Sequence, residues 1–252
     1  MLFRSARSLE KEIDYTIEAY HTERFSRQFM GEHTVYVPKV FKEFNSSRVL
    51  TIEYMDGVKV SNTDMLKQKG CDLHTIAVNG ADLIMKQIFV HGFFHADPHP
   101  GNIFILPNNV ICFLDFGMMG RIRQDEREDF TDFVTHLGGR NERKIAESVL
   151  RLSLYDVEPD REKLERDLMD LLEQQVFGHR NKLEMGKLFQ KLIEMVSTHG
   201  LTIKPDLYLM MKSLGTIEGI AKMLEPAFDI LKQAEPFVRD RKSTRLNSSH
   251  RL

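Results

Sequence analysis

Apolar side chains change their spacing several times along the first half of the chain. Residues 8–30 place them three to four positions apart, which is the repeat of one helix face, and Gly31 would end that helix. Residues 35–40 and 48–54 are rich in β-branched and aromatic side chains and flank a polar turn. The pattern predicts one helix followed by two strands.

The middle of the chain combines helical and strand-like segments. Residues 61–69 and 72–90 have helical spacing. Residues 103–106 and 110–114 are two short apolar runs separated by Pro-Asn-Asn, a sequence that is typical of a turn. We therefore predict two helices followed by a β-hairpin.

After residue 121 the spacing is almost wholly helical. Large apolar side chains recur in four stripes, which we interpret as packing surfaces and not as a cofactor site. The stripes are Phe130, Phe133, Val134 and Leu137; Leu164, Leu168, Leu171 and Leu172; Leu188, Leu192 and Val196; and Leu207, Met210, Leu214, Ile217, Ala221 and Leu224. A mixed first half and a helical second half predict an α+β fold.

The charge balance and the cysteines exclude several classes of protein. The chain has 35 Lys and Arg against 37 Asp and Glu, and four of the basic residues fall within the last twelve positions. A nucleic-acid binder normally presents a basic face, so this acidic balance argues against nucleic acid as a partner. Cys71 and Cys112 are too few for a disulfide framework or a cysteine zinc site.

Signals for membrane insertion and export are missing from the pattern. No apolar run approaches the roughly 20 residues of a membrane helix, and the first residues lack the apolar stretch of a signal peptide. We expect a cytoplasmic protein, with peripheral attachment to an inner membrane left open. Residues 242–252 have no periodicity, and we expect a non-native or disordered tail over 241–252.

The stretch from residue 91 to residue 121 carries the candidate chemistry. His95 and Asp97 form an H-x-D pattern, Asn102 follows, and Asp115 opens a D-F-G after the predicted hairpin. Protein kinases use these groups in this order. The short loop and the hairpin would bring the carboxylates and the amide together, and such hard oxygen ligands suit Mg2+. The stretch therefore predicts a site for a nucleotide and its metal ions.

Two other interpretations of this stretch carry less weight. His91, His95 and His99 are four positions apart, which on a helix would suggest a metal trio, but Pro98 and Pro100 argue against a continuous helix there. A solvated polar loop without chemistry is the other alternative. Such a loop rarely contains these groups in this order, so we favour the nucleotide site.

The same residues resemble one protein family. FFHADPHPGNIF and LDFGMMGRI are similar to the catalytic loop and metal-binding motif of the UbiB or aarF-domain (ADCK) atypical kinase-like proteins. The run EIDY, followed by EA, resembles the E-x-D helix of that family, and VPKVF and RVLTIEYMDG resemble its later strands and hinge. The resemblance covers about residues 8–235. It implies a protein-kinase-like fold with a partial N-lobe, consisting of the C-helix and later strands, and a helical C-lobe.

The resemblance also implies an activity and site residues. It implies ATP and Mg2+ as cofactors, ATPase-like activity, and a link to isoprenoid quinone (ubiquinone) biosynthesis. Asp97 would be the catalytic aspartate, with Asn102 and Asp115 as metal ligands, while His95 would be structural. The hinge whose backbone would meet adenine consists of Glu53, Tyr54 and Met55.

Three acidic residues of the first helix are further candidates for the nucleotide site. Glu12 and Asp14 would be the E-x-D acids, which in the family face an inserted N-terminal motif. Two positions apart, they cannot share a face of an unbroken helix, so they either serve different partners or straddle the helix start. Glu18 shares a face with Asp14 and could instead pair the ATP-binding lysine. The choice of partners stays open.

The resemblance is incomplete. Family members carry a K-x-G-Q motif, an Ala-rich nucleotide loop and a strand lysine before this helix, and the residues that precede it here contain none of them. The chain thus resembles the C-terminal two-thirds of a family member, with a partial N-lobe over 1–57 and a C-lobe over 58–240. We expect weak nucleotide binding and negligible turnover from this polypeptide.

Three functions are compatible with these residues. The first is an ATP-dependent kinase-like ATPase in quinone metabolism, with a quinone-precursor lipid or quinone-biosynthesis proteins as partners and membrane association of the full-length protein. The second is a small-molecule phosphotransferase of the aminoglycoside or choline kinase type. The third is a pseudokinase that binds a lipid or a partner through its methionine-rich C-lobe. The Asp97-Pro98 pair and the acidic helix favour the first.

Overall fold

The computed structural model describes residues 14–139, 141–174 and 184–238. Glu12 and the tail over 241–252 lie outside the described residues, as does the start of the predicted first helix. Helix α1 spans Tyr15–Gln28, and the Asp14 carboxylate caps it by accepting the backbone N–H of Thr16 at 3.0 Å. An aspartate at this position satisfies a backbone donor that the first helical turn leaves unpaired.

A four-stranded sheet lies beside α1. Its strands are β1 (Val35–Tyr36), β2 (Val58–Lys59), β4 (Ile103–Leu106) and β5 (Val110–Phe113). They lie in the order β1-β5-β4-β2, with β1 parallel to β5 and the other pairs antiparallel. The predicted β-hairpin is confirmed as β4 and β5, joined by a turn in which Asn108 and Asn109 have positive φ angles of 63° and 61°. Asparagine adopts this left-handed conformation more readily than most residues.

The two strands predicted over 35–40 and 48–54 form only in part. β1 is two residues long, and a single bridge between Val40 and Ile52 joins the two runs. Pro38 interrupts the first run, and proline has no N–H to donate to a strand ladder. The second run forms no named strand, so this part of the prediction was wrong.

A second, two-stranded sheet frames the candidate site. β3 (Phe93–His95) pairs antiparallel with β6 (Met119–Arg121), and Phe94 lies opposite Gly120. A Cβ atom on Gly120 would lie 2.2 Å from the Phe94 ring, so no larger residue fits there without movement. β3 leads into the H-x-D segment and β6 follows the D-F-G, so this pairing fixes the two segments relative to each other.

Two helices lie between β2 and β3 in the chain, at the positions that the sequence predicts. Helix α2 spans Thr63–Gln68 and α3 spans Leu73–Met85, after which a π-helical turn continues over Lys86–His91. Gly92 ends this turn with a φ angle of 63°, and a Cβ there would lie 2.7 Å from the Ile122 carbonyl oxygen. Only glycine meets both conditions. The helix predicted over 72–90 is confirmed, with its last turn widened.

The second half of the described chain is helical. Its elements are α4 (Gln124–Gly138), α5 (Glu142–Leu152), β7 (Ser153–Leu154), α6 (Arg161–Leu172), α7 (Met185–Thr198), β8 (Thr202–Ile203) and α8 (Pro205–Leu224), followed by a helical segment over 230–238. α8 packs against both α3 and α7, which places it at the centre of the helical layer. Most of the predicted apolar stripes are buried, which confirms their role in packing.

One stripe was not predicted. Ile145, Val149 and Leu152 of α5 are buried, although the helix is rich in charged residues and was not singled out by its sequence. No helix among the described residues combines the length and the apolar character that crossing a bilayer requires.

Candidate active site

His95 joins the H-x-D strand to the D-F-G segment. It is 2% exposed, and its Nε2 lies 2.7 Å from the backbone oxygen of Asp115, while its Nδ1 lies 3.2 Å from the backbone nitrogen of Asp97. A carbonyl can only accept and an N–H can only donate, so Nε2 carries the proton and Nδ1 accepts. Burial lowers the pKa of His95, which favours the same neutral imidazole. Both ring nitrogens are thus engaged in holding the loop.

Backbone hydrogen bonds fold the loop after His95 into a compact turn. The His99 N–H donates to the Asp97 carbonyl at 2.7 Å, and the Asn102 N–H donates to the His99 carbonyl at 2.9 Å. The Leu114 N–H then donates to the Asn102 carbonyl at 3.0 Å. This chain of bonds connects the loop to the end of β5, and so it brings the residues around Asp97 and Asp115 together.

Asn102 and Asp115 are in direct contact. The Asn102 Nδ2 donates to the Asp115 Oδ2 at 3.1 Å, and the Gly117 N–H donates to the Asp115 Oδ1 at 2.8 Å. With Nδ2 used in this way, the amide oxygen is the side-chain atom of Asn102 that can ligate a cation. A carboxylate and an amide oxygen at one place are the hard ligands that Mg2+ prefers, so the residues present fit this ion.

Helix α1 also contacts the D-F-G segment. The Phe25 ring, which is fully buried, lies 5.1 Å from the Phe116 ring and 5.8 Å from the Phe113 ring, measured between centroids. His21 Nδ1 donates to the Phe116 carbonyl at 2.9 Å, since a carbonyl can only accept. Burial lowers the pKa of His21, in keeping with a neutral ring. Aromatic packing and one hydrogen bond therefore fix the backbone of the D-F-G.

Glu18 brings a second carboxylate to Asp115. Its Oε1 accepts the backbone N–H of Phe116 at 3.1 Å. Burial raises the pKa of the Glu18 carboxyl, and the nearby charge of Asp115 raises it further. Asp115 therefore lies close to both the Glu18 carboxylate and the Asn102 amide, and a cation bound there would relieve the repulsion between the two carboxylates. Of the three acids predicted on the first helix, Glu18 is the one that the described structure brings to the D-F-G.

The acid of the H-x-D is paired with a residue that the sequence did not suggest. Lys212 Nζ lies 3.0 Å from Asp97 Oδ1, and the neighbouring Ser213 Oγ donates to the His95 carbonyl at 2.7 Å. Both residues belong to α8. Ser213 is fully buried beside Leu214 of the apolar stripe, and a polar residue next to such a stripe is the signal in the sequence that points to this helix.

Other predicted site residues have different surroundings. The Asp14 carboxylate also accepts the hydroxyl of Thr16, at 2.6 Å, which holds it at the start of the helix. The Glu53 carboxylate accepts the Tyr36 hydroxyl at 2.8 Å, and the Glu53 N–H donates to the Lys39 carbonyl, also at 2.8 Å. That N–H is therefore not free for an adenine ring.

The rest of the predicted hinge is more open. Tyr54 is 87% exposed and Met55 is partly buried, and both lie in irregular extended chain. Their backbone groups are the remaining candidates for contact with a base.

The three histidines of the alternative metal trio lie in three separate environments. His91 packs edge-on against Phe29, at 5.2 Å between ring centroids, and His95 is buried between the loop and the D-F-G. His99 Nδ1 accepts the Gly101 N–H at 3.1 Å and so closes its own turn. Within the described residues no group of three or more His, Cys, Asp and Glu side chains could together hold a metal ion.

Two protein-family models match the chain. Residues 2–149 match the ABC1 atypical kinase-like domain, which is more than half of the 252 residues, and residues 169–229 match the UbiB helical domain. The chain belongs to the ABC1 atypical kinase-like family. The resemblance inferred from the H-x-D, Asn and D-F-G motifs is thereby confirmed. The ABC1 match contains Glu18, Asp97 and Asp115. The match to the UbiB helical domain contains Lys212 and Ser213.

ABC1 relatives from photosynthetic organisms are similar over most of this chain. The uncharacterized protein sll1770 of Synechocystis is 32% identical over 91% of the chain and 39% of its own length. The Arabidopsis thaliana protein ACTIVITY OF BC1 COMPLEX KINASE 7, chloroplastic, is 30% identical over 92% of the chain and 34% of its own length. The chain thus spans between a third and two-fifths of the length of these relatives.

A solved structure shares the fold. The complex of Rv3197 with erythromycin from Mycobacterium tuberculosis aligns with a TM-score of 0.60 and 19% identity, over 85% of this chain and 55% of that one. At this identity the similarity concerns the fold alone. Together with the family match, it confirms the predicted α+β, protein-kinase-like fold.

Proposed function

We propose that this chain forms the metal-binding side of an atypical kinase-like ATPase that uses ATP and Mg2+. The observation that supports this most directly is the contact between Asn102 and Asp115 at 3.1 Å, with Asp97 on the same compact loop. Membership of the ABC1 family favours this function over an aminoglycoside or choline kinase type of phosphotransferase. The three side chains also argue against a pseudokinase that has lost its metal ligands.

Each residue has a defined role in this proposal. Asp115 and Asn102 hold the ion, and Glu18 contributes a further carboxylate and orients the D-F-G backbone. When bound to Asp115 and Asn102, Mg2+ would supply positive charge that offsets the negative charge of the phosphates. Asp97 accepts the proton of the attacking hydroxyl or water. The backbone of Tyr54 and Met55 would meet the base, and Glu12 and Asp14 would face the segment with the K-x-G-Q motif.

The biological setting is also a proposal. The resemblance to UbiB and aarF-domain proteins suggests a role in isoprenoid quinone biosynthesis, with a quinone-precursor lipid or quinone-biosynthesis proteins as partners. A cytoplasmic protein attached to the periphery of an inner membrane would suit such a substrate. Deleting the gene in its source organism and measuring quinone content by mass spectrometry tests this; an unchanged quinone pool would contradict it.

The metal site is tested by ligand-dependent thermal stability. Binding to the folded state raises the melting temperature by an amount that grows with the logarithm of ligand concentration. We expect millimolar Mg-ATP to stabilise the chain slightly, and Asp115→Asn to abolish this shift. Asp125→Asn is the matched control, because Asp125 is an exposed acid of α4 that pairs with Arg123 outside the site.

Two results would count against the proposal. A Mg-ATP shift that survives Asp115→Asn would show that the nucleotide binds elsewhere. No shift in the wild-type chain at any nucleotide concentration would remove the support for a nucleotide site in this polypeptide. Turnover is a separate question: we expect negligible ATP hydrolysis, and robust hydrolysis that Asp115→Asn abolishes would overturn that expectation.

A further inference from the structure

Helix α8 of the helical domain reaches the Asp97 end of the site. The Lys212 ammonium lies 3.0 Å from Asp97 Oδ1, and the two side chains are 45% and 44% exposed. The contact joins the part of the chain that matches the UbiB helical domain to the loop in the ABC1 domain.

The placement of Lys212 is built into the fold. The adjacent Ser213 is fully buried, and its hydroxyl donates to the carbonyl of His95, which is itself 2% exposed. On either side of this pair, Met211 and Leu214 are buried in the core at 1% and 4% exposure. The backbone of α8 is thus locked against the H-x-D segment at this turn, and Lys212 is the residue whose side chain emerges towards Asp97.

Stability alone does not account for the Lys212–Asp97 pair. An ion pair between two half-exposed side chains contributes little to stability, because water screens it and both side chains lose freedom. The buried Ser213 hydrogen bond already holds the helix in place. A role in the chemistry of the site therefore explains the position of the Lys212 ammonium better than stability does.

The site is rich in negative charge. Glu18 and Asp115 lie on the metal side and Asp97 on the other, and the loop over 97–102 contains no lysine or arginine. Among the ion pairs found in the described part of the chain, the one that reaches any of these three acids comes from Lys212. A phosphoryl group in transfer carries negative charge on three oxygens, and a cationic side chain beside it stabilises that charge in addition to the metal.

We propose that Lys212 binds the phosphoryl group being transferred and holds it beside Asp97. This inference rests on the proposed function, since it requires a nucleotide at the Asp115 site. A lysine suits the task because its ammonium has three donors and can bond the Asp97 carboxylate and a phosphoryl oxygen together. The helical domain thereby contributes a catalytic residue to the ABC1 domain.

The reaction balances without a further reactant. A bond forms between the oxygen of the attacking hydroxyl or water and the γ-phosphorus, while the bond between that phosphorus and the β-phosphate oxygen breaks. The proton of the attacking group passes to the Asp97 carboxylate, and ADP leaves. Lys212 remains protonated throughout and only moves its hydrogen bonds between the carboxylate and the phosphoryl oxygens.

Comparing nucleotides with and without the γ-phosphate tests the role of Lys212. Mg2+ with a non-hydrolysable ATP analogue and Mg2+ with ADP are titrated separately into the complete 252-residue chain by calorimetry. Lys212→Met should weaken binding of the ATP analogue by about tenfold or more, the usual effect of losing a charge-assisted hydrogen bond, and leave ADP binding within about twofold. Lys212→Arg should restore most of the difference. Lys187→Met, which removes an exposed ion pair with Glu184 on α7, should change neither.

The possible outcomes separate this inference from the proposed function. Equal weakening of both nucleotides by Lys212→Met would mean that the lysine only shapes the loop, and would overturn the inference while the metal site stands. Unchanged binding of both nucleotides would overturn it as well. If the wild-type chain binds neither nucleotide, the proposed function fails and this inference fails with it. Circular dichroism melting of each variant establishes that the compared proteins are folded.

Discussion

The N-terminal segment over residues 36–57 and the helices after residue 124 are packed very differently. Four large apolar side chains of the segment are exposed at the surface: Tyr36 at 41%, Phe44 at 64%, Val49 at 52% and Tyr54 at 87%. In α6, by contrast, Leu164, Leu168 and Leu172 are at most 1% exposed. The apolar side chains are therefore buried in α6 and only partly buried in the segment.

The difference follows from how each kind of element satisfies its backbone. A helix forms its hydrogen bonds within itself and needs a neighbour on one face only. A strand needs partners along its edges. The segment has two isolated bridges, Val40–Ile52 and Ser46–Val49, and the end of the two-residue strand β1. The proposed metal ligands therefore lie among well-packed elements, and the proposed adenine hinge lies in sparsely paired chain.

The largest effect on the free energy of unfolding is expected for Phe25→Ala, with Phe44→Ala as its comparison. Phe25→Ala should lower the free energy of unfolding by about 3–5 kcal/mol, because it leaves a cavity under the D-F-G. Phe44→Ala, at a side chain that is 64% exposed, should change it by no more than about 0.5 kcal/mol. Urea unfolding followed by circular dichroism measures both. Similar losses from the two variants would contradict the comparison.

A smaller effect is expected where α8 meets the H-x-D segment. Ser213→Ala removes the buried donor to the His95 carbonyl and should cost about 1–3 kcal/mol, since that carbonyl is left unpaired. Thr216→Ala is the matched control: its hydroxyl bonds only the Lys212 carbonyl of its own helix. The same unfolding measurement applies. A loss in Thr216→Ala as large as that in Ser213→Ala would show that the loop contact adds nothing.

The smallest effect concerns the cap of α1 and its dependence on pH. The hydroxyl and then the backbone N–H of Thr16 lower the pKa of Asp14 in the folded chain. The cap therefore stabilises the fold fully above the ordinary aspartate pKa, and this contribution is lost as the pH falls through the lowered value. Asp14→Asn retains a neutral cap and should lose less stability than wild type between neutral and acid pH. A larger loss in the variant would be inconsistent with this geometry.

Much of the fold and of the candidate site follows from local sequence. The hairpin over 103–113 was predicted from a Pro-Asn-Asn turn between apolar runs, and the long helices were predicted from stripes of leucine and methionine. The order of His95, Asp97, Asn102 and Asp115 pointed to a single site, since a short loop and a hairpin leave these groups little room to separate. The strand predicted over 48–54 does not form as a named strand, because apolar alternation does not say whether a partner strand is available.

By itself, the sequence determined which groups the H-x-D loop and the D-F-G contain and in what order. The tertiary structure alone decided that Glu18 reaches Phe116, that Asp14 does not leave the helix cap, and that Lys212 meets Asp97. Ser213 and His95 are 118 positions apart, and no periodicity links them. Local hydrogen bonding and burial follow from the identity of neighbouring residues, whereas a contact between distant residues depends on how whole helices pack.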